Sequence, residues 1–282
     1  MISDEKSVSD DVFLAEAAAI HQSAKFEEAV AVYLAELVRW REGSPLMHKL
    51  GANKGRMHVT GYLLHLSAID RLAGGEGGVT YGELFEICVA RRAEVGARVL
   101  KTTLALLRLA GFVETWRGKT DRRVVHYRPT GRMYSHARLA YGYAAAALDV
   151  LEPQTRRLCR LQTDEVFLQT MLASAGAAHA EQPPGGYMPD FIGYIGEREG
   201  AGAVLALLIM TQARRAPPPS RAALASRFGL SKSQVTRILT DGAERGYYGL
   251  YENGQPVVTT KAEDSFRRWI SIELAFHARH MR

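Results

Sequence analysis

The side chains of this chain best suited to chemistry are cations. Between Arg91 and Arg138 stand twelve lysines and arginines, opposed only by Glu94, Glu114 and Asp121. That stretch carries about nine net positive charges, whereas the whole chain carries +6 with a pI near 9.3. Charge focused in this way draws polyanions, nucleic acid first among them; a solvated helix face is the reading that charge alone leaves open. Other reactive types do not assemble. The nine histidines are scattered, and the one ligand-like spacing, His277 and His280, reads as a solvated C-terminal turn rather than a metal site. Cys88 falls on an apolar helix face and reads as core, and Gly74-Gly-Glu-Gly-Gly78 lacks the strand and lysine of a phosphate loop. No nucleophile, base or metal constellation emerges, so no enzyme, cofactor or metal is expected.

Composition bounds what must position those cations. With 282 residues, 47% hydrophobic and 23% charged, the chain is long enough for about two globular domains. Its longest apolar run, Ala201 to Met210, is too short to span a bilayer and reads as a buried helix. Two cysteines cannot form a disulfide framework, and the acidic MISDEKSVSDD start has no secretory character. The expectation is a cytoplasmic, nucleoid-associated protein without a membrane partner.

Periodicity predicts mostly helix: 11–41 with Asp10 or Asp11 as N-cap, 57–72, a short helix after Thr80, 93–110, 132–149 and 153–175. The period switches to alternation in Phe112–Arg117 and Val124–Arg128, a hairpin around Gly118-Lys-Thr-Asp121. The second half repeats the order. After the loop Glu181–Pro189 come a helix over Ala201–Ala213, a break at Pro217-Pro-Pro219, and helices capped by Ser220 and Ser231. A hairpin around Asn253-Gly254 and a final helix from Lys261 complete it. An offset of 135 lays Leu109-Ala-Gly-Phe-Val113 on Glu244-Arg-Gly-Tyr-Tyr248, Leu100 on Val235 and Leu104 on Leu239. Helix, short helix, longer helix and hairpin is the order of a winged helix-turn-helix, whose second helix fits the major groove and whose hairpin tip reaches beside it.

Two segments carry a family resemblance. Gly229-Leu-Ser-Lys-Ser-Gln-Val-Thr-Arg-Ile-Leu239 with Ala243-Glu-Arg-Gly246 resembles the recognition helix of MarR-type regulators. Gly111 through Asp121-Arg-Arg123, with Arg128-Pro-Thr-Gly131, resembles their wing. The resemblance implies a mainly α fold with small β-hairpin wings. Two winged helix-turn-helix domains would be joined by long helices in a MarR-dimer-like pseudo-twofold arrangement. The halves would be 1–150 (winged helix about 57–130) and 151–282 (winged helix about 199–262). The departures matter: Gly96-Ala-Arg-Val-Leu-Lys-Thr102 replaces the Ser-x-Ser-x-x-Thr-Arg pattern in the first half. The second wing is about five residues shorter and holds Glu252-Asn-Gly-Gln255 without a basic residue. A fused, diverged pair implies an asymmetric double-stranded DNA site with half-sites about one helical turn apart.

On that resemblance Ser231 caps the helix and meets a phosphate, Lys232 and Ser233 suit phosphates, and Gln234, Thr236 and Arg237 test base edges. Arg98, Lys101 and Thr102 take the corresponding face in the first half. Arg122 and Arg123 suit minor-groove insertion, with Asp121 orienting one of them, and Arg117 and Lys119 suit the backbone. The implied function is a sequence-specific transcription regulator, with RNA polymerase or another regulator and a small-molecule effector as further candidate partners. Tyr62, Tyr141 and Tyr143 fit either an effector pocket or simple packing. Two rival readings use the same elements: a plasmid-type replication initiator binding origin repeats, and a winged-helix module that binds other proteins.

Overall fold

The computed structural model describes residues 2–43, 54–93, 95–117, 123–250 and 255–282. Helix dominates, with two small antiparallel sheets. The helices α1 (Ile2–His21), α2 (Phe26–Gly43) and α3 (Lys54–Leu72) lead into β1 (Val79–Thr80), α4 (Tyr81–Phe85), α5 (Ala97–Leu109) and the hairpin β2 (Val113–Arg117)–β3 (Val125–Pro129). Then follow α6 (Gly131–Leu151), α7 (Arg157–Thr163), α8 (Glu165–Glu181), α9 (Pro189–Glu197) and α10 (Ala201–Ala213). The chain ends with α11 (Arg221–Phe228), α12 (Lys232–Glu244), the hairpin β4 (Tyr248–Leu250)–β5 (Pro256–Val258), and α13 (Thr260–His280). No helix among the described residues is long and apolar enough to cross a membrane.

Several boundaries differ from the sequence reading for local reasons. The segment expected as one helix over 11–41 is two. The chain breaks where Ser23 takes the Lys25 amide with its side chain and the Phe26 amide with its carbonyl, so Asp10 lies inside α1 and accepts from the Tyr187 hydroxyl. The helix expected over 153–175 is interrupted at Asp164, whose carboxylate caps α8 through the Phe167 amide at 3.0 Å. After α4 the backbone widens into a π turn over Glu86–Arg91, and α5 starts only at Ala97 because Ala93 adopts a positive φ of 50°. Helix α9 was not anticipated; Pro189 stands in its first turn and it buries Phe191 and Tyr194. The C-terminal histidines do not form a solvated turn. His277 is buried within α13 beside Glu273, and Met281 beyond it is fully buried.

The chain forms two compact units, and these are not the halves 1–150 and 151–282. One comprises Met1–Pro45, Gly142–Leu158 and Pro184–Arg282; the other Leu46–Tyr141 and Cys159–Pro183. The reason is which helix covers which. In the second unit the apolar face of α3 (Val59, Leu63, Ala68) packs on α8 (Leu168, Met171, Leu172), a helix of the second half. There Gly176 lets the helices approach so closely that a Cβ would lie 2.5 Å from that of His65. In the first unit α10, buried nearly all round as its composition required, packs on α2 (Val30, Leu34, Val38), a helix of the first half. Each half thus lends a long helix to the other half's motif.

Candidate nucleic-acid interface

The repeat read from the sequence recurs in the geometry. Helices α5 and α12 have 13 residues each and begin and end 135 residues apart. Their buried positions coincide at that offset: Leu100, Thr103, Leu104 and Leu107 in one, Val235, Ile238, Leu239 and Gly242 in the other. Both end in a Schellman turn on a left-handed glycine. Gly111 has φ 73° and Gly246 φ 77°, and the amides of Phe112 and Tyr247 reach back to the carbonyls of Leu107 and Gly242. After each hairpin a threonine hydroxyl donates to the glycine carbonyl, Thr130 to Gly111 at 2.8 Å and Thr259 to Gly246 at 2.7 Å. A cation two residues on closes the corner. Arg132 bonds the Ala110 carbonyl over the Phe112 ring, and Lys261 bonds the Arg245 carbonyl over the Tyr247 ring. These pairs are 129 residues apart, so the second hairpin is six residues shorter.

The hairpins differ at their outer edge. In the second unit β1 pairs with β3, Val79 opposite Tyr127 and Thr80 opposite His126, making three strands ordered β1-β3-β2. Asp70 delivers the chain to β1 by accepting from the amides of Gly77 and Gly78. In the first unit the same stretch is Pro217-Pro-Pro219, which has no N–H to give a ladder. The Gln212 side chain stands in for the strand, donating to the Val258 carbonyl and accepting from its amide, both at 3.1 Å. A cavity of about 200 Å³ remains between Pro218 and Val257.

Most of the described residues of the expected interface in α5 and α12 are exposed; Gln234 and Thr236 are half-buried. Arg98, Lys101 and Thr102 are exposed, with Lys101 over the Tyr81 ring and the Thr102 hydroxyl on the Arg98 carbonyl. At the corresponding places of α12 stand Ser233, Thr236 and Arg237; Lys232, Ser233 and Arg237 are exposed, while Thr236 is half-buried and donates to the Lys232 carbonyl at 3.0 Å. Ser231 is the N-cap as anticipated, its hydroxyl accepting from the Gln234 amide at 3.1 Å. Gln234 is more committed than a base-reading side chain was expected to be. Its Oε1 accepts from the Ser231 amide at 2.7 Å, completing a capping box, and its Nε2 reaches Glu199 at 3.4 Å. Gly96, the N-cap of α5, offers no side chain.

Arg117 and Arg123 are exposed where the first hairpin approaches its tip. Lys119, Asp121 and Arg122, and the second tip with Asn253-Gly254, lie outside the described residues. The basic stretch also proves to be two populations. Arg128 stacks on Trp116 and pairs with Glu114, Arg138 holds Glu165 and the Leu161 carbonyl, and Arg92 holds the Ala180 carbonyl. Arg91, Arg98, Lys101, Arg108 and Arg117 present exposed charge.

Of the tyrosines Tyr62, Tyr141 and Tyr143, Tyr62 is buried and Tyr141 and Tyr143 are half-buried. Tyr33 and Tyr143 meet edge to face at 4.9 Å, and burial pushes the Tyr33 phenol well above its ordinary value. Tyr194 donates to the Ile238 carbonyl and contacts the Tyr248 hydroxyl behind α12, and burial raises both phenols. His136, beside the Phe112 ring, is driven by burial down to about 4. Among the described residues no group of three or more His, Cys, Asp or Glu is placed to hold a metal. No protein-family model, curated protein or solved structure matches this chain.

Proposed function

We propose that this chain is a sequence-specific double-stranded DNA-binding transcription regulator. In this reading α3 to β3 and α10 to β5 are two non-identical winged helix-turn-helix motifs of the MarR type, reading an asymmetric site. One observation carries it. Two helices of equal length, buried in identical register and each followed by the same glycine corner and hairpin, turn outward side chains suited to bases and phosphates. Arg98, Lys101 and Thr102 do so from one, Ser233, Thr236 and Arg237 from the other. A repeat kept only for packing would keep the buried register, but it has no need of cations on the outward face of the first helix and along its hairpin.

The first helix, with its basic hairpin, supplies most of the positive charge; the second, with its capped N-terminus and a short hairpin that has no basic residue, supplies hydrogen-bonding variety. A site read this way is not palindromic, and one chain suffices to occupy it. The test is to select genomic fragments with the purified protein beside an Arg122→Ala/Arg123→Ala variant. Promoter-proximal, non-palindromic sites lost in the variant are expected. Clustered direct repeats at one locus would replace this reading with replication initiation, and no enrichment at physiological salt would leave protein binding in its place.

A further inference from the structure

We infer that Arg92 and Arg227 are positioning residues of one repeated device that locks each two-helix motif to the end of a helix lent by the other half. This inference rests on the DNA-binding reading above and adds to it how the reading helices are held. The two arginines are 135 residues apart, the same offset that relates α5 to α12, and neither belongs to the outward reading face. Arg92 follows the π turn after α4, and its Nη1 donates to the Ala180 carbonyl at 2.6 Å, in the last turn of α8. Arg227, in the last turn of α11, pairs through Nε with Glu42, the penultimate residue of α2. Helices α2 and α8 are the exchanged pair. In both cases a guanidinium meets the negative end of the lent helix, at an accepting carbonyl or a carboxylate placed there.

In the first unit the grip extends to the reading helix itself. Arg41, buried and adjacent to Glu42, donates to Glu199 Oε1 at 2.9 Å. Glu199 Oε2 takes the Gln234 Nε2, and Gln234 closes the capping box on Ser231. Thus Glu42 holds α11 and Arg41, through Glu199, holds the N-terminus of α12. The end of α2 sets where the second reading helix points, and α2 belongs to the first half. Neither half reads DNA independently of the other.

The Arg227–Glu42 pair is 46% and 36% exposed, a setting in which ion pairs add little to global stability, so its effect falls on orientation. The experiment uses the full chain with Glu42→Arg, Arg227→Glu and the double exchange. It measures affinity for a wild-type-selected fragment, affinity for an unrelated duplex, the unfolding midpoint, and hydrogen exchange over 221–244. Each single variant is expected to weaken the selected fragment about 3- to 10-fold, the range of mutations within a coupling network. The unrelated duplex and the midpoint should stay unchanged, exchange over 221–244 should rise, and the double variant should restore both affinity and exchange. Unchanged specific affinity in the single variants, or a double no better than either, overturns the device, as does a loss that follows the midpoint. Should the wild type select no DNA, the regulator reading fails by itself. Hydrogen exchange then decides alone: faster in the singles and restored in the double supports the tether, and no change refutes it.

Discussion

Two glycine-to-alanine substitutions in the second unit should move stability in opposite directions. In a helix interior alanine is favoured over glycine by about 0.8–1 kcal/mol, so with free space each replacement would stabilise. Gly61, within α3, has that space: a Cβ there meets nothing within 4 Å. Gly176, within α8, does not, since its Cβ would stand 2.4 Å from Cγ and 2.5 Å from both Cβ and Nδ1 of His65. Carbon atoms need about 3.5 Å, so one helix must retreat by roughly 1 Å. A Cβ cannot rotate out of the way, and the neighbours that would have to follow, Leu63 and Leu168, are fully buried. Overpacking of this kind costs about 1–3 kcal/mol, which exceeds the propensity gain. Gly176→Ala should therefore destabilise by about 1–2 kcal/mol and Gly61→Ala stabilise by about 0.5–1 kcal/mol. Urea denaturation followed by circular dichroism reads both, with the slope of the transition checked for change. A neutral or stabilising Gly176→Ala alongside a stabilising Gly61→Ala would refute the close packing of α3 on α8, and with it the exchange of helices.

Other outcomes follow from the same geometry. Arg237→Ala and Arg123→Ala should each weaken DNA binding and lower the slope of log affinity against log salt by about one if the lost contact is to phosphate; an unchanged slope with relaxed sequence preference would place that arginine on a base edge instead. Ser231→Ala removes the hydroxyl of the capping box and should cost about 1 kcal/mol of stability, measurable as a lowered denaturation midpoint, whereas Gly96, already without a side-chain cap, should gain a few tenths of a kcal/mol on replacement by Ser. His136 is held neutral by burial, its value depressed to about 4, so its contribution is present above pH 6.5 and is lost as pH falls from there toward 4. The loss is at most about 3 kcal/mol, and it should vanish from the pH profile of unfolding in a His136→Gln variant.

Local chemistry made much of this protein legible without a structure. Thr80, Ser220 and Ser231 cap the helices that follow them because a short hydroxyl side chain satisfies amides that no helix can satisfy internally. Gly111 and Gly246 end helices because only glycine enters the left-handed region without strain, and the register of Leu100 with Val235 survived as shared burial. The capping partner Gln234 was also readable, since Ser-x-x-Gln is the box pattern, and so was the placing of Arg92 and Arg227 at one offset.

What sequence reasoning missed depends on contacts distant along the chain. The helix α9 is held by neighbours distant along the chain, Tyr194 donating to the Ile238 carbonyl and Phe191 meeting Phe266 edge to face. The sign of charge in the basic stretch was visible, but not that Glu114 and Glu165 occupy Arg128 and Arg138 while Arg98 and Lys101 stay exposed.

The sequence by itself determined that the chain is a helical duplication with two hairpins, because caps, glycine corners and hydrophobic period act over a few residues. It could not determine which long helix covers which motif. Both α2 and α8 bury apolar residues, but period and hydrophobicity do not say which partner each of them covers. The packing of α3 on α8, close at Gly176, and of α10 on α2 joins residues distant along the chain, and it is this packing that selects the exchanged pairing.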